Sequence, residues 1–273
     1  MYFQKPMLGT PLNPFHWASH DLAAFWLMNE AGGDKIYDLS GNGNTGTLTG
    51  MSFPGTATSG WGAGKFGSAL NFDSSNDYVD CGDEIMDFRA DSGAFTISAR
   101  IKTSYGAADN YILGTNLDTG VYMRIDHGSG DCLLIKIDDG VNAEYANGTS
   151  ALDDNIWHNL LLIVNSDTTE FLGYVDGIKE ITLTTGSVGN LANTFKIGRV
   201  DDPTPRYFNG EIDLVSIYNR GFNAQQVQQL SINPFCMFAP SFEMGWLYSA
   251  AEAAAAGFFP GGIGHKMIAY GLF

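Results

Sequence analysis

The sequence predicts an all-β protein, a two-sheet antiparallel sandwich, on three observations. From about Leu22 to Tyr218, short apolar or alternating runs are separated by clusters of Gly, Asn and Asp, the pattern of strands joined by tight turns. Glycine supplies 34 of the 273 residues, with neither a G-X-Y period nor a low-complexity block, so turns are many. Hydrophobic residues make up 44% of the chain against 16% charged, enough apolar surface for a core and too much for wholesale disorder.

In chain order, residues 1–20 carry Pro6, Pro11 and Pro14 and read as an extended arm, because proline removes helix donors and favours extended backbone. The central domain spans 21–232. Within it, Phe95, Ile97, Ala99 and Ile101 share one face of a strand, since side chains alternate with period two, and that face belongs to the core. Val121–Ile125 and Leu133–Ile137 read the same way. Trp157–Val164 is a longer apolar run; its β-branched end and the Asp176-Gly177 turn downstream favour a strand over a helix. Phe171–Asp176 and Ile178–Leu183 then form a hairpin. Trp26 and Trp157 are expected as core fillers. One short helix is expected, Asn223–Leu230, capped by Asn223, with Ala224, Val227 and Leu230 on one face.

After Ile232 the composition changes to an apolar C-terminal arm, 233–273, rich in aromatics: Phe235, Phe238, Phe242, Trp246, Phe258, Phe259 and Phe273. Large exposed apolar surface marks interaction sites, so this arm, with 1–20, is expected to dock on neighbouring subunits of a homo-oligomer or on another protein. The alternative is that the arms fold back over their own sandwich.

Charge bounds the partners. Fourteen Lys and Arg against 30 Asp and Glu leave a net −16, which repels polyphosphates, so nucleic acid is not expected. No apolar run approaches the ~20 residues of a membrane span. The N-terminus lacks the basic and apolar regions of a Sec-type signal, so export by that route is not expected. Cys81, Cys132 and Cys236 form no closed set of bridges and no C-x-x-C pair; they read as buried thiols.

The succession Phe25–Glu30, Asp38–Asn44, Gly64–Phe72, Asp77–Val79, Phe95–Ala99, Ile156–His158, Tyr174–Gly177 and Asn209–Arg220 resembles the laminin-G-like, concanavalin A-like jelly roll in order and spacing. The resemblance implies two antiparallel sheets packed face to face. It also raises glucanase chemistry, where the active strand resembles E-x-D-x-x-E. Here the strand reads Glu211-Ile-Asp213-Leu-Val-Ser216, and Ser216 stands in place of the acid/base carboxylate, so no hydrolysis is expected. His16 with His20 and the doublet Asp126-His127 lack the partners of a metal or catalytic site.

A structural calcium fits the oxygen-rich loop Asp38–Asn44 together with Asp213, which in similar domains lies on a late strand near the first ones; Asp38, Asn44 and Asp213 are the expected ligands. A metal-free Asx turn fits the loop equally. For glycan binding, Tyr105, Tyr111, Tyr122, Tyr145 and Tyr207 are candidate stacking residues, without a located site. Leu230–Pro240 is similar to the tails of predicted phage structural proteins carrying this domain. The expected role is therefore a non-catalytic virion component, a capsid decoration or particle appendage touching the major capsid protein, neighbouring subunits or surface glycans. The rivals are a secreted bacterial carbohydrate-binding module and a jelly-roll glucanase.

Overall fold

The computed structural model describes residues 5–83, 85, 93–106, 108–118, 120–138, 143–165, 170–184, 194–201 and 206–238. Its strands in chain order are β1 (Leu22–Trp26), β2 (Lys35–Ile36), β3 (Gly46–Thr49), β4 (Gly60–Ala63), β5 (Ser68–Asp73) and β6 (Tyr78–Asp80). There follow β7 (Phe95–Lys102), β8 (Asn110–Gly114), β9 (Gly120–Asp126), β10 (Cys132–Asp138), β11 (Ala143–Ala151) and β12 (Trp157–Asn165). The last are β13 (Glu170–Val175), β14 (Ile178–Thr184), β15 (Lys196–Ile197), β16 (Arg199–Val200), β17 (Arg206–Tyr207) and β18 (Asn209–Tyr218), before helix α1 (Ala224–Ile232).

Sheet one runs β14-β13-β12-β7-β18-β5-β4, with β1 beside β18; sheet two runs β11-β10-β9-β8-β15-β6-β3-β2; β16 and β17 form a separate ribbon. This is the expected two-sheet jelly-roll sandwich. The hairpin β13–β14 turns at Asp176 (φ 49°) and Gly177 (φ 82°), the paired left-handed residues of a turn whose twist matches its strands. Asn223 caps α1 by accepting from the Gln226 N–H, while the Gln226 side chain accepts from the Asn223 N–H. Val227 and Leu230 are buried as expected, but Ala224 is exposed.

The main core lies between the sheets. Alternation sends Phe95, Ile97, Ala99 and Ile101 of β7 inward, with Leu160, Leu162 and Val164 of β12, Val215 and Ile217 of β18, and Ile125, Leu133 and Ile135 of sheet two. Trp26 stacks on Phe195 (centroids 6.2 Å apart) and its indole N–H donates to the Asn44 carbonyl (2.7 Å). Trp157 departs from expectation: it is half-buried on the outer face, with the Lys102 ammonium 5.9 Å from its ring.

A second core covers the outer face of sheet one. Phe25, Leu161, Ile163, Leu172, Leu214 and Tyr218 point away from the first core and are buried with Ala18, Val227, Leu230, Phe235, Met237 and Phe238. The N-terminal arm contributes: Asn13 N–H donates to the Met237 carbonyl (2.8 Å), and the Trp17 indole N–H to the Gln229 side chain (2.8 Å). Lys5 plugs the near end, its ammonium donating to the Leu27 (2.6 Å) and Ser68 (2.5 Å) carbonyls; burial lowers its pKa to about 8.

This corrects the expected docking role of Phe235 and Phe238. They are 8% and 9% exposed within their own chain, because a sheet face this apolar must itself be covered and the arms are the nearest apolar material. Phe242, Trp246, Phe258, Phe259 and Phe273 lie outside the described residues. Cys81 and Cys132 are buried free thiols, and Cys236 is half-buried. Among the described residues no helix is long and apolar enough to cross a membrane.

Candidate functional site: an open aromatic groove

The expected calcium ligands are not brought together. Asp38 spends its four lone-pair positions inside the chain: Oδ1 accepts from the Phe25 (2.9 Å) and Ser40 (2.9 Å) N–H groups, Oδ2 from the Ser40 hydroxyl (2.7 Å) and Asn44 N–H (3.0 Å). The Asn44 amide donates to the Ala23 carbonyl (2.8 Å). Asp213 faces the other way, on the outer side of sheet one. There Arg100 grips it with Nε (2.5 Å) and Nη2 (3.0 Å), and the Lys65 N–H adds a third bond (3.1 Å). The three residues therefore do not fit a calcium centre, which needs oxygens free to turn to the ion. Among the described residues no cluster of three His, Cys, Asp or Glu is placed to hold a metal.

On the strand carrying Glu211, Asp213 and Ser216, only Glu211 reaches a cleft, one of about 180 Å³ that it lines with Lys102, Asn71 and Asn209, while Asp213 and Ser216 are closed to a substrate. Asp213 is 0% and Arg100 1% exposed, Ser216 is buried, and Glu211 is paired with Lys102 (3.0 Å). His16 caps a 3₁₀ turn by accepting from the Ala18 N–H (3.1 Å), and His20 contacts the Pro14 carbonyl (3.0 Å). Burial lowers the His16 pKa, and the neighbouring His20 adds to this. His127 is paired with Asp131 (2.9 Å).

The outer face of sheet two is different. Register aligns Tyr111, Arg124, Leu134 and Asn147 in one row across β8, β9, β10 and β11, and Tyr122, Lys136 and Tyr145 in the next. All project outward because they alternate with the inward Met123, Ile125, Leu133, Ile135 and Ile137. Tyr111 and Tyr122 are buried with Leu134 and Val200 as a floor, their rings 5.3 Å apart. Above it opens a groove of about 480 Å³ lined by Tyr122, Arg124, Asp126, Lys136, Tyr145 and Asn147. Tyr145 stands on its rim, 64% exposed.

The polar groups form a held lattice. Arg124 pairs with Asp126 (2.9 Å) and Asp109, and its guanidinium lies 5.5 Å from the Tyr111 ring. The Asn147 amide donates to Asp126 Oδ2 (2.8 Å) and to the Ser129 hydroxyl (2.5 Å). Lys136 donates to the Leu117 carbonyl (2.8 Å) and pairs with Asp138 (3.0 Å). Burial, helped by Tyr111, holds the Tyr122 phenol far above its usual pKa, so it remains a neutral O–H; burial also pulls Arg124 below its ordinary value. Preset donors and acceptors beside an exposed ring suit a ligand with an apolar face and many hydroxyls.

Other clefts lack this combination. One of about 470 Å³ is lined by Ser19, Asp21, Leu22, Ala23, Asn42, Asn44, Ile85 and Asn219, without an aromatic ring. Another, of about 490 Å³ between Gly43 and Asp83, likewise has none.

Of the tyrosines considered from the sequence, Tyr111, Tyr122 and Tyr145 meet here. Tyr207 flanks Arg199 on the ribbon (5.3 Å), and Tyr105 lies outside the groove lining. Arg124, Lys136 and Asn147 escaped notice. The signal for the first two was present, since alternation in Val121–Asp126 and Leu133–Asp138 puts Tyr122, Arg124, Asp126, Lys136 and Asp138 on the faces opposite the core.

A family model described as the concanavalin A-like lectin/glucanases superfamily matches residues 73–228. The binding domain of Paraclostridial mosquitocidal protein 1 has a similar fold, with a TM-score of 0.61 at 19% identity over 80% of this chain and 53% of that one. Domain 4 of AbnA, a GH43 extracellular arabinanase from Geobacillus stearothermophilus in complex with arabinotriose, gives 0.58 at 19% identity over 77% and 98%. Botulinum neurotoxin type C, whose cell entry is dependent upon interaction with two ganglioside molecules, gives 0.57 at 13% identity over 78% and 51%. The chain thus spans about half the length of the two toxin chains and nearly all of the arabinanase domain. No curated protein matches the sequence. At these identities the shared feature is the fold.

Proposed function

The chain belongs to the concanavalin A-like lectin/glucanases superfamily, and we propose that within it this protein is a non-catalytic glycan-binding protein whose ligand lies in the groove on sheet two. The observation that carries this reading is the exposed Tyr145 ring standing beside the fixed polar row of Arg124, Asp126 and Asn147. A sugar ring stacks its C–H face on Tyr145 while its hydroxyls bond to Asp126, Asn147 and Lys136. The AbnA domain in complex with arabinotriose supports the reading by showing that a fold of this shape serves as a glycan-binding unit. The glucanase alternative is disfavoured by the burial of Asp213 and Ser216 beneath the arms.

The test is a panel of oligosaccharides measured by isothermal titration calorimetry with wild-type protein and Tyr145→Ala. Loss of at least about tenfold in affinity, roughly 1.4 kcal/mol, is expected for Tyr145→Ala. Unchanged binding in that variant sinks the assignment of the groove. Incubation with β-glucans is expected to release no reducing ends; turnover that vanishes in Glu211→Gln would reinstate a hydrolase.

In its finer form the proposal places the protein on a phage particle, in contact with copies of itself or a capsid protein. This finer form rests on the resemblance of residues 230–240 to the tails of predicted phage structural proteins given above. Electron microscopy and size-exclusion chromatography of native material test this, expecting particle-bound or oligomeric protein; a free monomer overturns it.

A further inference from the structure

We infer that the ligand of the groove is a neutral glycan and that the groove discriminates against acidic ones; this rests on the glycan-binding reading above. Among the described residues, each cation bordering the groove is already matched by a carboxylate of the chain. Arg124 holds Asp126 and Asp109, Lys136 holds Asp138 at 3.0 Å, and Arg206 at the β8 end lies 3.8 Å from Asp109 with its guanidinium 5.7 Å from the Tyr111 ring. Among the described residues bordering the groove, three cations, Arg124, Lys136 and Arg206, stand against three carboxylates, Asp109, Asp126 and Asp138, and these charges balance.

The consequence follows from what each ligand would have to displace. A uronate, sialate or sulfate reaching Arg124 or Lys136 must take the place of an aspartate held at hydrogen-bond distance, and leave that carboxylate partly desolvated and unpaired. It also approaches a chain of net charge −16. A neutral hydroxyl meets neither cost. It donates to a carboxylate oxygen and accepts from the paired cation in one step, adding itself to the lattice without breaking it. The Asp126 carboxylate, already oriented by Arg124 and Asn147, is the natural acceptor for such a hydroxyl.

The experiment titrates wild-type protein with neutral gluco-, xylo-, arabino- and galacto-oligosaccharides and lactose, and with oligoglucuronate, oligogalacturonate and sialyllactose. Binding is expected in the neutral set. The acidic counterpart of each binder should be at least about tenfold weaker, and neutral affinity should change less than about twofold between roughly 20 and 500 mM NaCl, because no net charge is neutralised on binding. An Asp109→Asn, Asp126→Asn, Asp138→Asn triple variant, which removes the carboxylates paired with Arg124 and Lys136, should gain affinity for the acidic set. Failure of that gain in a folded variant overturns the pairing argument. Tighter, salt-sensitive binding of acidic glycans that is lost in Tyr145→Ala overturns neutrality but leaves the groove as the glycan site. Absence of binding in both sets overturns the inference and the glycan reading together.

Discussion

Sheet one turns Leu161, Ile163, Leu172, Leu214 and Tyr218 outward and buries them under the N-terminal arm, α1 and residues 235–238, whereas sheet two turns Arg124, Lys136, Tyr145 and Asn147 outward and leaves them at a groove. Both faces obey the same alternation, and both place a cation on an aromatic floor: Arg100 lies 4.5 Å from the Phe66 ring and Arg124 5.5 Å from the Tyr111 ring. The difference lies in the remaining side chains. On sheet one the outward residues are mostly apolar, and covering them gains roughly 25 cal/mol per Å² buried. On sheet two alternate outward positions are charged or amide-bearing, and a covering segment would have to desolvate them. Covering thus turns the ion pair of one face into architecture and exposure leaves that of the other able to meet a ligand.

The largest test of this contrast is Asp213→Ala. It strands Arg100, 1% exposed, without its carboxylate, and is expected to cost about 3–5 kcal/mol of unfolding free energy in urea denaturation. The equivalent loss on the open face, Asp126→Ala, should be much smaller, since Arg124 retains Asp109 and reaches solvent. Equal losses would erase the distinction between the faces.

Phe235→Ala comes next. Its ring packs edge-on against Phe66 (5.6 Å) and lies 5.4 Å from the Arg100 guanidinium, so removal should cost about 3 kcal/mol. The oligomeric state at constant protein concentration should not change. A shift in elution volume with little loss of stability would return Phe235 to the docking role that its sequence suggested.

A pH test concerns the clasp that holds the covering helix. His158 bonds Asp176 (2.7 Å) and Asp154 (3.1 Å), and the adjoining turn residue Gly177 accepts from the Gln228 side chain of α1 (2.5 Å). The bond to Asp176 outweighs burial and raises the His158 pKa; burial opposes, yet His158 and the Asn159 N–H bring Asp176 below its usual value. A raised folded-state histidine pKa stabilises most below its ordinary value near ~6.5, and that contribution is lost as pH climbs through the raised value. The Asp176 share is present above the ordinary aspartate range and is lost as pH falls through its depressed value. The stability gap between wild-type and His158→Gln should therefore be wide at about pH 6 and narrow by about pH 9. A gap independent of pH would show that the imidazole acts by packing alone.

The smallest expected effect is the stability of Tyr145→Ala. An exposed rim ring should change unfolding free energy by no more than about 0.5 kcal/mol, even though ligand affinity falls. A large destabilisation would mean that the rim is part of the core.

Much of the framework was legible locally. The period-two pattern of Phe95–Ile101 marked its inward face, Asp176-Gly177 marked the hairpin, and Asn223 marked the helix start, because each depends on residues within a few positions of one another. The outer face of sheet one was half legible: the unbroken run Leu160–Val164 has apolar residues on both faces, the signature of a strand buried on both sides. What hid the rest was sequence distance. Arg100 and Asp213 are 113 positions apart, and nothing near either tells that they meet, or that Asp213 turns away from Asp38.

The amino-acid sequence by itself therefore determined the elements and the class of fold, since backbone propensity, turn chemistry and alternation act over neighbours. It also determined the acidity that disfavours polyphosphate partners. The tertiary structure decided which face is covered, where Phe235 and Phe238 go, and which polar side chains form a groove. Those outcomes depend on strand register and on which distant segment reaches an apolar face, and both are set by long-range pairing that no local pattern encodes.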